Sequence, residues 1–362
     1  MASFHEAYKA KTRLAPAYLK KKGIVGIGVG YANPTKPSKG ASVIVYTAKA
    51  SAAAKLSIPS AVTTGSGGSS VSVPIRVIVS GHIKANKAAI SQLRDRVRPV
   101  PAGYSVGYPS IPGSGGVSGT AGLIVINNPQ RNQLLICSNN HVLNRNNTAG
   151  YTETIQPGAA DGGNSVTDRI GRLERFIQLQ RNAANFLDAA TSIPLSNSLL
   201  DPRYAGVGVI PGHLLTYRVG ERFKKSGRTT GFVRGTVESV NSDFNVDYGS
   251  YGGLGTILFR NQTVVLGSSA VSLPGDSGSV WLRDNDNFAA AVNYASTSNG
   301  LRSISYPFNW FAQAFNVLVA RPARLTGRVK GKRQSSPAYA QPLTAKQLSS
   351  IKIVRARRAR RR

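Results

Sequence analysis

Residues 275–278, Gly-Asp-Ser-Gly, sit inside the stretch SLPGDSGSVWL (272–282) and place a serine hydroxyl on a sharp turn between two glycines. Such a turn is either plain punctuation between strands or the seat of a nucleophile. A serine hydroxyl attacks a carbonyl at neutral pH only if a neighbouring base takes its proton. Four histidines could serve: His5, His82, His141 and His213. His5 lies in a charged N-terminal segment, His82 ends an apolar run, and His213 follows a Pro-Gly turn. His141 follows QLLICSNN, where a strand ends and the chain turns, so its ring is expected at a rim; it is the best-placed base. An imidazole base needs a buried carboxylate to hold its tautomer. Asp161 and Asp168 stand in polar contexts, whereas Asp188, in NFLDAATSIPL, stands within an apolar run where a carboxylate requires a partner. Gly275 allows its own N–H and that of Ser277 to converge on one point, as the oxyanion hole of an acyl-transfer site requires.

The elements that must position these residues are mostly short strands. GLIVI, QLLICS, FLDAATSI, RGTVESV, NVDYG, TVVLG, SVWLR and FAAAVNY alternate with turns rich in Gly, Asn, Asp and Ser between residues 101 and 320. This pattern predicts an all-β sandwich or a pair of barrels. PFNWFAQAFNVLV (307–319) reads as one closing helix. Upstream, three strand-like runs, GIVGIGVGY, ASVIVYTA and VSVPIRVIVSG, surround the Ala-rich KASAAAKL and predict a small α/β module over 24–100 after a basic segment, 1–23. KANKAAISQLRDRVRPV (84–100) reads as a basic helix. The glycines of GIVGIGVGY are spaced G-x-G-x-G with no helix following, which argues against a dinucleotide fingerprint. The tail, 321–362, is Arg-rich with little apolar patterning and is expected to be disordered when alone.

The order His, Asp, Ser together with G-D-S-G resembles the chymotrypsin-type arrangement. KKSGRTTGFVRGTVESVNSDFNVDYG (224–249), PGDSGS, AAAVNYAS and SISYPFNWF look like the second barrel of bacterial trypsin-like serine proteases related to streptogrisin, and LLICSNNHVL resembles the His-bearing strand of their disulfide-free relatives. The resemblance covers about 103–320 and is most specific over 224–308. It implies a mainly β, chymotrypsin-like double six-stranded β-barrel with a C-terminal helix, and a serine endopeptidase acting on protein or peptide substrates. His141 would be the general base, Asp188 the orienting carboxylate, Ser277 the nucleophile, and Gly275 with Ser277 the oxyanion donors. The substrate-binding positions would be Val271, six before the serine, and Tyr294, Ala295 and Ser296; an apolar Val271 implies a P1 side chain without positive charge. Ser279 departs from the family's common second glycine. KKKGIVG has the look of a zymogen cleavage site, but Ile24 precedes His141 by a whole module and reads as the start of a strand.

Charge opens a competing reading. The net charge is +31, with 16 Lys and Arg against 2 acids in residues 1–100 and 14 against none in 321–362. Such termini favour polyanions, so the alternative is an inactive protease-fold protein that binds nucleic acid non-specifically through 321–362. Tyr339 is the tail's one aromatic, which supplies no stacking platform. The single cysteine, Cys137, excludes an intrachain disulfide and reads as a buried strand residue; with no apolar leader or membrane-length span, a cytoplasmic location is expected. No metal or cofactor is expected, since no H-E-x-x-H, Cys pair or Walker spacing occurs.

Overall fold

The computed structural model describes residues 1–64, 70–85, 93–110 and 116–358. In chain order the elements that matter to the site begin with α1 (Phe4–Tyr18), β1 (Ile24–Tyr31), β2 (Ala41–Thr47), α2 (Ala50–Lys55), β3 (Ala61–Thr64), β4 (Val71–Val79) and β5 (Ile83–Ala85). They continue through β6 (Leu123–Asn127), β7 (Leu134–Ser138), α3 (Asn140–Leu143), β8 (Glu153–Ile155), β9 (Arg169–Ile177) and β10 (Ala190–Pro194). The second half holds β11 (Arg222–Gly227), β12 (Gly231–Asp247), β13 (Thr256–Leu266), β14 (Val280–Arg283), β15 (Ala289–Thr297) and β16 (Arg302–Pro307). The chain ends with α4 (Phe308–Phe315), β17 (Val317–Arg321), α5 (Ala345–Ser350) and β18 (Ile353–Arg355).

Six of these strands close a ring in the order β11–β14–β15–β16–β13–β12, with β12 returning to β11. A second sheet runs β8–β9–β10–β7–β6–β17 around Ile124, Ile126, Leu134, Ile136, Leu173 and Phe176. The arrangement is the chymotrypsin-like β-barrel fold expected from the sequence. Closure removes the exposed edges that many short strands would otherwise leave unpaired.

The 17-residue β12 does two jobs. Its first half pairs with β11 inside the barrel, and its second half pairs with β1, so the N-terminal sheet β1–β2–β4–β3 continues the barrel sheet. Register shifts against β13 near Val237, Ser239 and Ser242 bend it between the two partners. The glycines of GIVGIGVGY serve this junction: a Cβ at Gly28 would lie 2.1 Å from Ser242 Oγ, and one at Gly26 2.2 Å from the Phe244 ring. They admit close strand contact rather than a phosphate. Ile24 opens β1, paired to β2 with its N–H on Lys21 O, which is the strand reading of KKKGIVG.

The N-terminal 1–23 is largely α1, started by a capping box between Ser3 and Glu6 and packed through Ala7, Ala10 and Tyr18 onto β1 and β2. Three expectations are corrected. The basic helix over 84–100 is not formed in its described parts: Lys84 and Ala85 belong to β5, 93–99 are irregular, and 86–92 lie outside the described residues. The closing helix is shorter than 307–319, because Asn316 takes a left-handed conformation (φ 49°) and Val317–Arg321 becomes a strand against β6. The tail is likewise ordered as far as residue 358. Arg328–Lys330 pairs with Gly212–Leu214, Tyr339–Ala340 with Tyr217–Arg218, and β18 with β9, while Trp310 Nε1 donates to Gln341 O at 2.6 Å. Composition missed this because backbone pairing asks little of side-chain type. Among the described residues no helix is long and apolar enough to cross a membrane.

Candidate active site

β7 ends at Ser138 and the chain turns at once into α3, a single helical turn that carries His141. The turn is pinned by Asp188, which lies two residues before β10 rather than within it. Its Oδ1 accepts the N–H groups of Asn140 (2.6 Å) and His141 (3.3 Å). Its Oδ2 accepts His141 Nδ1 and, at 2.6 Å, the hydroxyl of Tyr248. Asp188 is 0 % exposed, so the four donors replace the water it has lost. With Nδ1–H committed to the carboxylate, the neutral ring presents its Nε2 lone pair, and among the described residues Nε2 has no hydrogen-bond partner. Tyr248 and Tyr251 stand edge-on to the imidazole at 5.8 and 6.4 Å. Burial, followed by the charge of Asp188, pushes the Tyr248 phenol well above its ordinary range, so it stays a donor.

Ser277 comes from the closed six-stranded barrel, on the turn leading into β14. The two halves are stitched directly: Thr120 N donates to Ser277 O at 2.8 Å, Thr120 Oγ1 to Gly275 O at 2.9 Å, and Ser138 Oγ to Thr120 O at 2.8 Å. Ser138 is three residues before His141, so the base and the serine loop share one anchor. The Ser277 hydroxyl donates to Tyr294 O at 3.2 Å. Gly275 has φ +98°, and a Cβ there would lie 2.4 Å from Thr229 Oγ1 and 2.6 Å from Arg228 Nη1, so both conformation and space demand glycine. Among the described residues the N–H groups of Gly275 and Ser277 donate no hydrogen bond, whereas Asp276 N–H goes to Leu273 O and Gly278 N–H to Asn293 O. Two N–H donors beside the serine hydroxyl with no hydrogen bond of their own are placed to donate to a developing oxyanion.

Asp276 is buried and fully engaged. It accepts the N–H groups of Leu273 (2.9 Å), Thr229 (2.9 Å) and Thr230 (3.0 Å), and faces Lys225 Nζ at 3.7 Å. Lys225 is itself 0 % exposed, and burial lowers its pKa while Asp276 opposes that shift. Beneath the turn, the buried Arg228 makes a bidentate pair with Asp161, Nε to Oδ2 at 2.8 Å and Nη2 to Oδ1. Neither pair was visible in the sequence. Asp161 was read as a loop acid because GAADGGNS is polar, and only the tertiary approach of 228 reveals its role.

The other sequence candidates fall as follows. Tyr294, Ala295 and Ser296 lie on β15 beside Ser277, and the Tyr294 ring is buried against Phe259 at 4.7 Å, so its backbone rather than its side chain faces the serine. Val271 is buried in the barrel core with Val265 and Trp281. His213 is also buried, Nε2 3.2 Å from Asn309 Oδ1, and burial lowers its pKa to about 4. His82 is exposed, and so is His5. Cys137 lies buried on β7, and burial pushes its thiol well above the ordinary value, which leaves it no thiolate to act with. Among the described residues no three His, Cys, Asp or Glu side chains come together as a metal site.

Comparison of the sequence with family profiles and with curated proteins finds no match. Comparison with solved structures finds bacterial serine proteases at low identity. A glutamic acid-specific serine protease that uses a histidine triad in substrate binding is 20 % identical, covering 61 % of this chain and 100 % of its own, with a TM-score of 0.43. Protease A of Thermobifida fusca is 20 % identical over 60 % of this chain and 97 % of its own, TM-score 0.42. The Nocardiopsis protease is 20 % identical over 60 % and 96 %, TM-score 0.41. At this distance the reading of the site rests on its own geometry.

Proposed function

We propose that this chain is a serine endopeptidase. The observations that support the reading are a histidine held by a buried carboxylate and, tied through Thr120 to Ser138 three residues before that histidine, a serine beside two N–H donors that carry no hydrogen bond among the described residues. Ser277 Oγ leaves Tyr294 O, passes its proton to His141 Nε2 and adds to the scissile carbonyl. The new oxyanion takes the N–H groups of Gly275 and Ser277. Asp188 stabilises the imidazolium, which then protonates the departing amine, and water repeats the sequence on the acyl-enzyme. The substrates are peptides or proteins; Val271, packed in the barrel core, offers no charge to a P1 side chain.

The polyanion reading gains less support. The tail is tied to the body through residue 358, and Tyr339 is half-buried in a strand pair rather than displayed for stacking. The test is labelling of the purified chain with an alkyl fluorophosphonate, with Ser277→Ala and a chain lacking 321–362 alongside. Labelling lost in Ser277→Ala supports the proposal. A folded wild type that stays unlabelled refutes it.

A further inference from the structure

The edge of β15 beside the serine is already occupied by the chain itself. Along this edge the partners change in sequence: Val292 pairs with Val280 of β14, Asn293 exchanges hydrogen bonds with Gly278 and Ser279, and Tyr294 O receives the Ser277 hydroxyl. Immediately beyond, Ala295, Ser296 and Thr297 pair antiparallel with Ala85, Lys84 and Ile83 of β5. β5 thus takes over the place that β14 vacates when the chain turns off into the serine loop. Its polarity is set by the register. Ala85 is the end nearest Ser277, so β5 runs toward the nucleophile with its carboxyl side leading, as the acyl half of a bound peptide must.

The other flank of β5 is held too. Lys84 pairs in parallel with Asp247, next to Tyr248, whose hydroxyl reaches Asp188. Ile83 is 2 % exposed, among Tyr46, Phe244, Val246 and Tyr294, while Lys84 is exposed. The strand is therefore anchored by one apolar side chain and by backbone bonds on both sides.

We infer that Ile83–Ala85 is a resident peptide in the acyl-side substrate cleft, so that the N-terminal module holds the enzyme closed to peptides until β5 is displaced. This rests on the endopeptidase reading above. The recognised chemistry is an extended backbone, three residues or more, added to β15 as a strand, and any substrate must compete with β5 for it.

The test compares the full chain with Lys84→Pro, which removes a ladder N–H from an exposed position, using two readouts. One is labelling by an alkyl fluorophosphonate, which needs Ser277 but no strand pairing. The other is hydrolysis of a tetrapeptide p-nitroanilide, which needs the β15 edge. The expected result is that both chains are labelled and that peptide hydrolysis rises at least ~10-fold in Lys84→Pro, as when a strand that blocks nine-tenths of the molecules is released. A synthetic Ser80–Ala85 peptide should then inhibit the variant competitively. Equal labelling with equal peptide hydrolysis overturns the occlusion and leaves the endopeptidase reading standing. No labelling of either folded chain overturns both. Should Lys84→Pro not fold, judged by circular dichroism, Lys84→Gly keeps the N–H while weakening the strand, and must shift hydrolysis in the same direction; no shift overturns the inference.

Discussion

Replacing Lys225 by methionine should damage the serine loop from beneath. Lys225 Nζ sits 3.7 Å from Asp276 Oδ2, 3.1 Å from Thr230 Oγ1 and 5.4 Å from the centre of the Trp281 ring, and both ionic partners are 0 % exposed. Methionine fills similar space but leaves the Asp276 carboxylate buried with three backbone donors and no counter-charge. Breaking a buried pair from one side costs about 3 to 5 kcal/mol, more than the pair itself is worth, because the remaining charge cannot return to water. The same carboxylate fixes the peptide planes at Leu273, Thr229 and Thr230. Its movement would misaim the N–H groups of Gly275 and Ser277, and loss of one oxyanion donor costs ~10²- to 10³-fold in turnover. Urea unfolding with fluorophosphonate labelling reads both effects. The double variant Lys225→Met, Asp276→Asn removes the orphan charge, so it should recover part of the stability lost in the single variant, and the difference is the coupling. A single variant within 0.5 kcal/mol of wild type and labelled at the wild-type rate would refute the argument that this pair holds the loop.

Tyr248→Phe removes one of two donors on Asp188 Oδ2 and should cost about 1.5 to 3 kcal/mol in denaturant unfolding, the range for a hydrogen bond to a charged group, with slower labelling of Ser277. Gly275→Ala should abolish labelling, because the Cβ would meet Thr229 Oγ1 at 2.4 Å with φ at +98°; labelling at the wild-type rate would show that the turn tolerates a side chain. His213 contributes a pH term. Its folded pKa, lowered by burial to about 4, lies below the unfolded value, so the unfolded chain binds the proton first and stability falls as pH drops from about 6.5 to 4. The difference in pKa corresponds to about 3 kcal/mol, and unfolding midpoints across that window should flatten in His213→Gln.

The chemistry at the centre of the site was legible in the residues because it depends on few of them. A serine between glycines, a histidine at a strand end and an aspartate in an apolar run are each locally unusual, and the fold pairs the histidine with the aspartate while the serine hydroxyl rests on Tyr294 O. The β architecture was legible for a similar reason, since short apolar runs broken by Gly and Asn reflect local backbone preferences. What supports the site was not. Lys225, Arg228 and Asp161 carry no mark of their role in the sequence, because a sequence does not show which charges share a desolvated space. Tyr248 read as a strand residue until the carboxylate it serves came within 2.6 Å from 60 positions away.

Long-range pairing was the other hidden term. The sequence by itself determined a β protein with a candidate nucleophile, base and carboxylate, through periodicity and residue chemistry that need no partner. Only the tertiary structure decided that α1 joins the N-terminal sheet, that the basic tail is ordered along the body, and that β5 lies on the edge beside Ser277. A strand's pairing is made by backbone groups that every non-proline residue carries alike, so its partner is chosen by what the rest of the fold leaves open.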